Sequence, residues 1–468
     1  MNRTLRYVLR ITAGLFLLFI LLYILANVII AFKKDTISQM AVEAINKQIK
    51  GTVTINDLSP NYFRTFPNIS VRLSGVSIKD SLFQTHQRGF LDAGNIFVQL
   101  QILSLVSGKP RIGKVIIEDC TIHLYTDECQ YCNLNLVESK PSGTSGKGDG
   151  YIPKLKFINT RVIIENLYVN SYHDFDFEYL KCNTKNKDES AVLDIDMKAL
   201  VHSIGFNMEK GSYLKEKMLE GNFELTLIEK TRLDLNDVNL FIENHPYVFN
   251  GSMFFNTEPK SYKLTIESKD VQYKNAVDLL TQSLQLKLDS FDIVEPITAS
   301  ASINGQMVFR NIPQVKIDFT VTDSELTTTL GTFINGSFTG QFLNQSDSLL
   351  IAGDNNSKIT FNDIHAEWSG IPWSSKRLEV TNLLKPSLAC DLQTSFELVR
   401  LNELTESSTI HFTEGSGNLD IQFNGPMLNI DTINPVINGN ITINNAAFTY
   451  LPRNLLFKEC TGVVEFNK

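Results

Sequence analysis

From Thr52 to the end of the chain, apolar and polar residues alternate in short runs, and helical spacing almost never interrupts them. Phe223, Leu225 and Leu227 alternate with Glu224 and Thr226. Leu264 and Ile266 alternate with Lys263 and Thr265. Leu284, Leu286 and Leu288 alternate with Gln285 and Lys287. Val315, Ile317, Phe319 and Val321 alternate with Lys316, Asp318 and Thr320. Leu419, Ile421 and Phe423 alternate with Asp420 and Gln422. Side chains of a strand point to its two faces in turn, so each run predicts a strand with one apolar and one wet face. Only residues 273–281 and 401–406 read as short helices. In residues 69–76 the alternation slips phase at Gly75, as at a bulge.

Roughly 25–30 such strands, with almost no helix to cover them, pose a packing problem. Two sheets packed about 10 Å apart would bury the apolar faces. A chain this long would then form several sandwiches joined by visible linkers. Only residues 141–150, PSGTSGKGDG, read as a flexible loop of that kind. The alternative is one long twisted antiparallel sheet that curls on itself, because strands twist by about 20–25° from neighbour to neighbour. The expected fold is therefore mainly β, with a curled sheet forming a hydrophobic groove. The alternating apolar residues named above are its expected lining. Acyl chains suit such a groove, because each buried methylene is worth about 0.8 kcal/mol wherever it is buried.

Residues 11–32 carry no charge and are long enough, at about 1.5 Å per residue, to span a hydrocarbon core of about 30 Å. A cleaved signal peptide has a shorter apolar region and a small-residue cleavage site, so an uncleaved transmembrane helix is the reading. Arg3, Arg6 and Arg10 precede it and place residues 1–10 on the cytoplasmic side. In residues 33–50, Ile37, Met40, Ala41, Ala44, Ile45 and Ile49 recur at helical spacing. This short amphipathic helix either caps the β-region or lies on the membrane surface. The expected order is then a tail (1–10), an anchor (11–32), an amphipathic helix (33–50), an N-terminal β-region (51–140), a loop (141–150) and a repetitive β-groove (151–468). Weak internal similarity between residues 262–282 and 390–407 fits a β-array with variable loops.

The remaining composition excludes more than it specifies. A net charge of −8 spread without runs offers no basic stripe for nucleic acid. No phosphate loop, nucleophile elbow or paired metal-ligating histidines occur, so neither an enzyme nor a cofactor is expected. His123 and His365 read as solvent-face residues. Of six cysteines only Cys129 and Cys132 lie close, and they read as a local disulfide or two free thiols, with no second pair at zinc spacing.

Residues 51–81, GTVTINDLSPNYFRTFPNISVRLSGVSIKDS, carry a further signal, together with IFVQLQILSLVSGKPRIGKVIIEDCTIHLY and the later NLNLV. With the anchor before them they resemble the AsmA family of Gram-negative envelope proteins, in the form common among Bacteroidota. That family is related to TamB and to bridge-type lipid transfer proteins. The resemblance covers about residues 10–137 and departs at Cys129–Cys132, where a glycine-type turn is expected before Asn133. It implies a single-pass inner-membrane protein whose bulk is periplasmic, with phospholipid and outer-membrane or envelope proteins as partners. The implied role is lipid transport toward the outer membrane or outer-membrane assembly, with no catalytic residues. Relatives of full length run on past this point, so the chain is expected to be truncated at its C-terminal end. The rival expectation is an anchored scaffold that binds other envelope proteins without carrying lipid.

Overall fold

A computed structural model describes residues 50–61, 64, 69–100, 112–137, 153–187, 189–308, 311–329, 331–427 and 435–467. The expected anchor and the 141–150 loop lie outside these residues, as does all of the amphipathic helix but Lys50. Among the described residues the fold is mainly β, with 21 strands and a few short helices. None of those helices is long and apolar enough to cross a membrane. The chain divides into two compact units, Met1–Glu209 with Lys215–Glu229, and Lys210–Leu214 with Lys230–Lys468.

Unit 1 contains β1 (Gly51–Asn61), β2 (Ile69–Asp80), helix α1 (Phe83–His86), β3 (Leu91–Leu100), β4 (Ile112–Thr126), β5 (Lys154–Asn166), β6 (Ser171–Lys187), β7 (Ser190–Gly205) and β8 (Lys217–Ile228). The strands pair in chain order. All pairs are antiparallel except β4 with β5, which run parallel from Lys114 opposite Lys154 to Thr126 opposite Asn166. A parallel neighbour needs a long crossover, and the connection holding the 141–150 loop supplies it. That loop therefore joins two paired strands of one unit, and the compact division falls near Glu229–Lys230.

The phase slip at Gly75 is part of a line that crosses the unit. Asn56, Gly75, Gly94, Asp119 and Asn159 stand opposite one another on β1 to β5, and pairing skips each of them without changing register. Gly75, Asp119 and Asn159 are left-handed, at φ 59°, 53° and 49°. Asn and Asp tolerate this conformation better than other residues with a side chain. At Gly75 a side chain has no room, because a Cβ there would lie 2.2 Å from the Asn56 amide nitrogen. The line flips the alternation in β1 to β5 together. Leu73, Ile96 and Ile117 on one side of it therefore pack against the same buried cluster as Val76, Ala93 and Cys120 on the other.

Unit 2 contains β9 (Arg232–Ile242), β10 (His245–Phe254), β11 (Ser261–Val271), α2 (Tyr273–Val277), α3 (Gln282–Leu288), β12 (Asp292–Ile293), β13 (Ile297–Gln306), β14 (Gln314–Thr328), β15 (Gly331–Leu343), β16 (Lys358–Trp368), β17 (Ile371–Thr381), β18 (Ser387–Glu397), α4 (Arg400–Thr405), β19 (Ile410–Pro426), β20 (Val436–Tyr450) and β21 (Leu455–Asn467). These strands pair antiparallel with their sequence neighbours. The exception is β12, which pairs with β14 beyond the end of β13, so that β11 pairs with β13. Helices α2 and α4 fall where the sequence predicts them.

Leu284, Leu286 and Leu288 are corrected by the structure: they lie on α3 and not on a strand. Leucines at i, i+2 and i+4 fit both periods. This stretch contains no β-branched residue and is rich in the helix formers Leu, Gln and Lys. On the helix Leu284 and Leu288 share one half-buried face, whereas Leu286 is 72% exposed.

Unit 2 has left-handed residues too, but at different heights: Asp237, Asp270, Asp323, Asn335, Asp363 and Asn445. All six coincide with shifts of register. A bulge leaves backbone groups unpaired, and side chains on neighbouring strands take them up. Asn250 Oδ1 accepts from the Asp237 N–H at 2.7 Å, Ser337 Oγ from Asp323 at 2.9 Å, and Thr461 Oγ1 from Asn445 at 3.2 Å.

Candidate functional site

Strand register collects apolar residues into rows that cross the strands. In unit 1, Leu58, Leu73, Ile96, Ile117, Phe157, Leu180 and Met197 stand opposite one another on β1 to β7, and the row ends at Gly221 of β8. The adjacent row includes Val71, Val98, Val115, Leu155, Cys182, Ile195 and Phe223. Leu225 faces Leu193, and Leu227 faces Ala191.

Unit 2 carries a longer row of Val238, Phe249, Ile266, Ala301, Ile317, Phe342, Ile359, Val380 and Leu388, from β9 to β18 with β12 omitted. Nine strands at about 4.8 Å spacing carry it roughly 40 Å along the sheet. Beside it, Leu264 faces Ile303, which faces Val315. On its other side Phe319, Gly340, Phe361, Leu378, Cys390 and Phe423 form the next row. Phe319 also meets Phe338 and Phe361 edge-on, with ring centroids 6.3 and 6.1 Å away. Its ring fills the place of a side chain over Gly340, where a Cβ would lie 2.1 Å from the ring. Val321 faces Phe338, Ile421 faces Leu392 and Leu419 faces Thr394.

The expected lining residues on β11, β14 and β19 thus lie in neighbouring rows of one unit. Phe223, Leu225 and Leu227 belong to the rows of the other. Sequence reading missed Ile96, Ile117, Phe157 and Leu180, and also Phe342, Ile359 and Val380. Their alternation is visible within each strand, but their shared rows depend on register, and a phase flip at Asp119 or Asp363 hides the pattern.

Exposure separates these rows from a sandwich core. Ile266, Ala301, Ile317, Phe342, Ile359, Val380 and Leu388 are all half-buried, as are Leu73, Ile96, Ile117, Phe157, Leu180 and Met197. An opposing sheet would bury the centre of such rows. Contiguous apolar surface of this extent is uncommon on soluble monomers and marks an interaction surface. The reverse face is polar and internally paired. Lys316 meets Asp318 at 2.8 Å, Gln341 donates to Asp318 at 2.7 Å, and Lys358 meets Glu379 at 3.3 Å. Burial alone would raise the Asp318 carboxyl, but its bonds to Lys316 and Gln341 hold it below the usual aspartate value.

Unit 1 also holds a polar knot where β2, β4 and β5 end. The Asp80 side chain is fully buried, and its Oδ2 accepts from His86 Nε2 at 3.0 Å and from the Tyr131 hydroxyl. The Arg88 N–H donates to His86 Nδ1 at 3.0 Å, which fixes the ring proton on Nε2. Arg88 grips Glu165 through two bonds of 3.0 and 3.2 Å, and His123 Nε2 lies 2.9 Å from the same carboxylate. His123, expected on a solvent face, is half-buried; a strand's alternation does not reveal that it pairs with Glu165 of β5, itself gripped by Arg88. Burial lowers the His123 pKa, and burial with the Asp80 bond pushes Tyr131 up to about 12. Buried Asn133 accepts from the Tyr125 N–H and donates to the His123 carbonyl, fixing the NLNLV turn against β4.

Cys129 and Cys132 are both free thiols. Their turn is closed by Asp127, whose side chain accepts from the Tyr131 N–H at 2.8 Å. Gln130, at φ 66°, takes the left-handed position where a glycine is expected. Among the described residues no group of three or more His, Cys, Asp or Glu side chains is placed to hold a metal ion. No protein-family model, curated protein or solved structure matches the chain.

Proposed function

We propose that this chain is an inner-membrane-anchored periplasmic protein of envelope biogenesis. It binds phospholipid acyl chains along its apolar rows, curled into a groove, and assists lipid movement toward the outer membrane or outer-membrane assembly. The observation that carries the reading is the unbroken apolar row across nine strands of unit 2, half-buried from Phe249 on β10 to Leu388 on β18. A row of Ile, Val, Leu and Phe without polar intrusion offers an acyl chain the same environment at every step. At about 0.8 kcal/mol per methylene, leaving one position is offset by entering the next, so a chain slides without a large barrier. Direction is not built into such a surface. The apolar anchor of residues 11–32 and the resemblance of residues 10–137 to AsmA proteins support the membrane and the compartment.

Photoactivatable phospholipid, crosslinked to the full chain and mapped by mass spectrometry, tests the reading apart from any lipid held by the anchor. Adducts are expected on peptides carrying Ile266, Ile317 and Ile359. Ile317→Asp should remove most of the unit 2 adducts, because an unpaired carboxylate in an apolar row costs several kcal/mol. Asp318→Asn, on the reverse face, should leave them. Equal effects of the two substitutions, or no adducts outside the anchor, would replace the carrier by a protein-binding scaffold.

A further inference from the structure

The connection between β15 and β16 exposes three consecutive aliphatic side chains: Leu349 is 91% exposed, Leu350 55% and Ile351 81%. The loop that carries them is built around one buried residue. Asn356 Nδ2 donates to the carbonyls of Asp347, Leu350 and Ile351, and its Oδ1 accepts from the Ser346 hydroxyl and the Asp347 N–H. Gln345 adds a second donor to the Leu350 carbonyl at 2.6 Å. The Asp347 side chain accepts from the Leu349 N–H at 2.9 Å. The tip therefore presents apolar side chains while the Leu350 and Ile351 carbonyls are satisfied from within.

The tip is continuous with its neighbours along one end of the unit 2 sheet. The Asn382 N–H donates to the Ser357 carbonyl, and the Met427 N–H to the Pro386 carbonyl, at 2.9 Å each. These bonds link the β15–β16 connection to the β17–β18 connection, and that connection to Met427 just after β19. The β17–β18 connection exposes Leu384, at 64%, and Met427 beside it is 53% exposed. Five exposed apolar residues thus lie along this end of the sheet, and Asp347, Asp354 and Lys385 are the charges of the two described connections. Asp354 is itself paired with Lys287 at 3.6 Å.

We propose that this ridge inserts into the interfacial layer of a lipid bilayer. The proposal rests on the lipid-handling reading and names a surface which that reading does not include. Two properties select a bilayer over a protein partner. The exposed apolar surface of the ridge is on the order of 500 Å², short of the roughly 800 Å² per partner that a specific protein interface buries. Internal satisfaction of carbonyls matters most in hydrocarbon, where no water replaces a lost hydrogen bond. Interfacial segments bind through apolar side chains of this type beside polar flanks.

The test places an indole at the tip. Full chain carrying Ile351→Trp is added to phosphatidylcholine vesicles with or without lipid brominated along the acyl chain. The unsubstituted chain, with Trp368 and Trp373, gives the background. The introduced indole should lose roughly half its emission to the bromines, as expected for a side chain at the acyl boundary. Phe206→Trp, also at an exposed position but in unit 1, should not. Adding Asn356→Ala to Ile351→Trp should reduce the quenching, since the tip is then no longer held. Equal quenching at positions 206 and 351, or none at 351, overturns the proposal. A blue shift that depends on protein concentration and not on vesicles would mark a contact between copies and overturn it as well. Failure here leaves the crosslinking result on Ile317 untouched, so the ridge and the groove fail separately.

Discussion

Unit 1 and unit 2 use the same strand chemistry and bend their strands in different ways. In unit 1 the left-handed residues Gly75, Asp119 and Asn159 stand in line, so β1 to β5 flip phase together and register does not change across the line; shifts in unit 1 fall elsewhere, at Gln99 and between β6 and β7. In unit 2 the corresponding residues are staggered, each accompanied by its own shift and often by a side chain from the next strand. Unit 1 also has the buried knot around Asp80 and Glu165, whereas unit 2 exposes apolar side chains at its β15–β16 and β17–β18 connections. One apolar face can therefore be kept by a shared kink with a concentrated polar lock, or by many local bulges with distributed caps. The first arrangement makes stability depend on a few residues and the second spreads it.

The sharpest way to break that contrast is Asp80→Ala. The substitution removes the buried acceptor shared by the half-buried His86 N–H and Tyr131 hydroxyl, a loss of roughly 3 kcal/mol. Hydrogen exchange read peptide by peptide on the full chain should show β2, β4 and the 131–137 turn opening together, with unit 2 unchanged. Exchange confined to the Asp80 peptide would mean that the knot is not a shared lock.

Acidification probes the same knot with every residue in place, so its effect should be smaller. Burial holds the His123 pKa below its ordinary value of about 6.5. The unfolded chain then binds a proton that the folded chain resists, and stability present above that value is lost as the pH falls through the folded one. Glu165 acts in the same direction further into acid. Burial would raise its carboxyl, but Arg88 and His123 outweigh burial and hold it low, so its contribution also disappears on protonation. His202 has the opposite sign. Its bonds to Asp176 and Glu216 raise its pKa, so its contribution is full below the ordinary value and is lost as the pH rises. Its partners Asp176 and Glu216 are exposed, which keeps that contribution small. Between pH 7 and pH 5, exchange corrected for intrinsic rates should quicken around His123 and not around His202. Equal behaviour at the two histidines would remove the assigned signs.

The comparison also explains which features the sequence revealed. Alternation on β8, β11, β14 and β19 is uninterrupted near the named residues, so one-faced strands were readable there. On α3 the same alternation was misleading, because Leu284, Leu286 and Leu288 satisfy both periods and only tertiary context selects the helix. Rows such as Ile117–Phe157–Leu180 combine strands distant in sequence, and their register follows from a kink line that single-strand patterns do not display. Gly75 alone hinted at that line. The knot was hidden for a different reason. Asp80, His86, Arg88, His123, Tyr131 and Glu165 come from five separate segments with no common spacing, so only the fold brings them together.

The smallest expected effect distinguishes an aligned kink from a staggered bulge. Asn159 at φ 49° and Asp323 at φ 46° are both left-handed. Valine at either place costs about 1–2 kcal/mol, because its Cβ crowds the backbone in that conformation and its β-branch adds to the strain. The two costs are alike in size but should differ in reach. Asn159 lies on the shared line, pairing skips its neighbours at the same height, and its amide reaches Asp119 at 3.3 Å. Asn159→Val should therefore loosen β4 and β6 as well as β5. Asp323 is capped only by Ser337, so Asp323→Val should loosen the β14–β15 contact and leave β16 protected. If Asn159→Val stays within β5, the line is a coincidence of five separate bulges, and the two units bend by one mechanism after all.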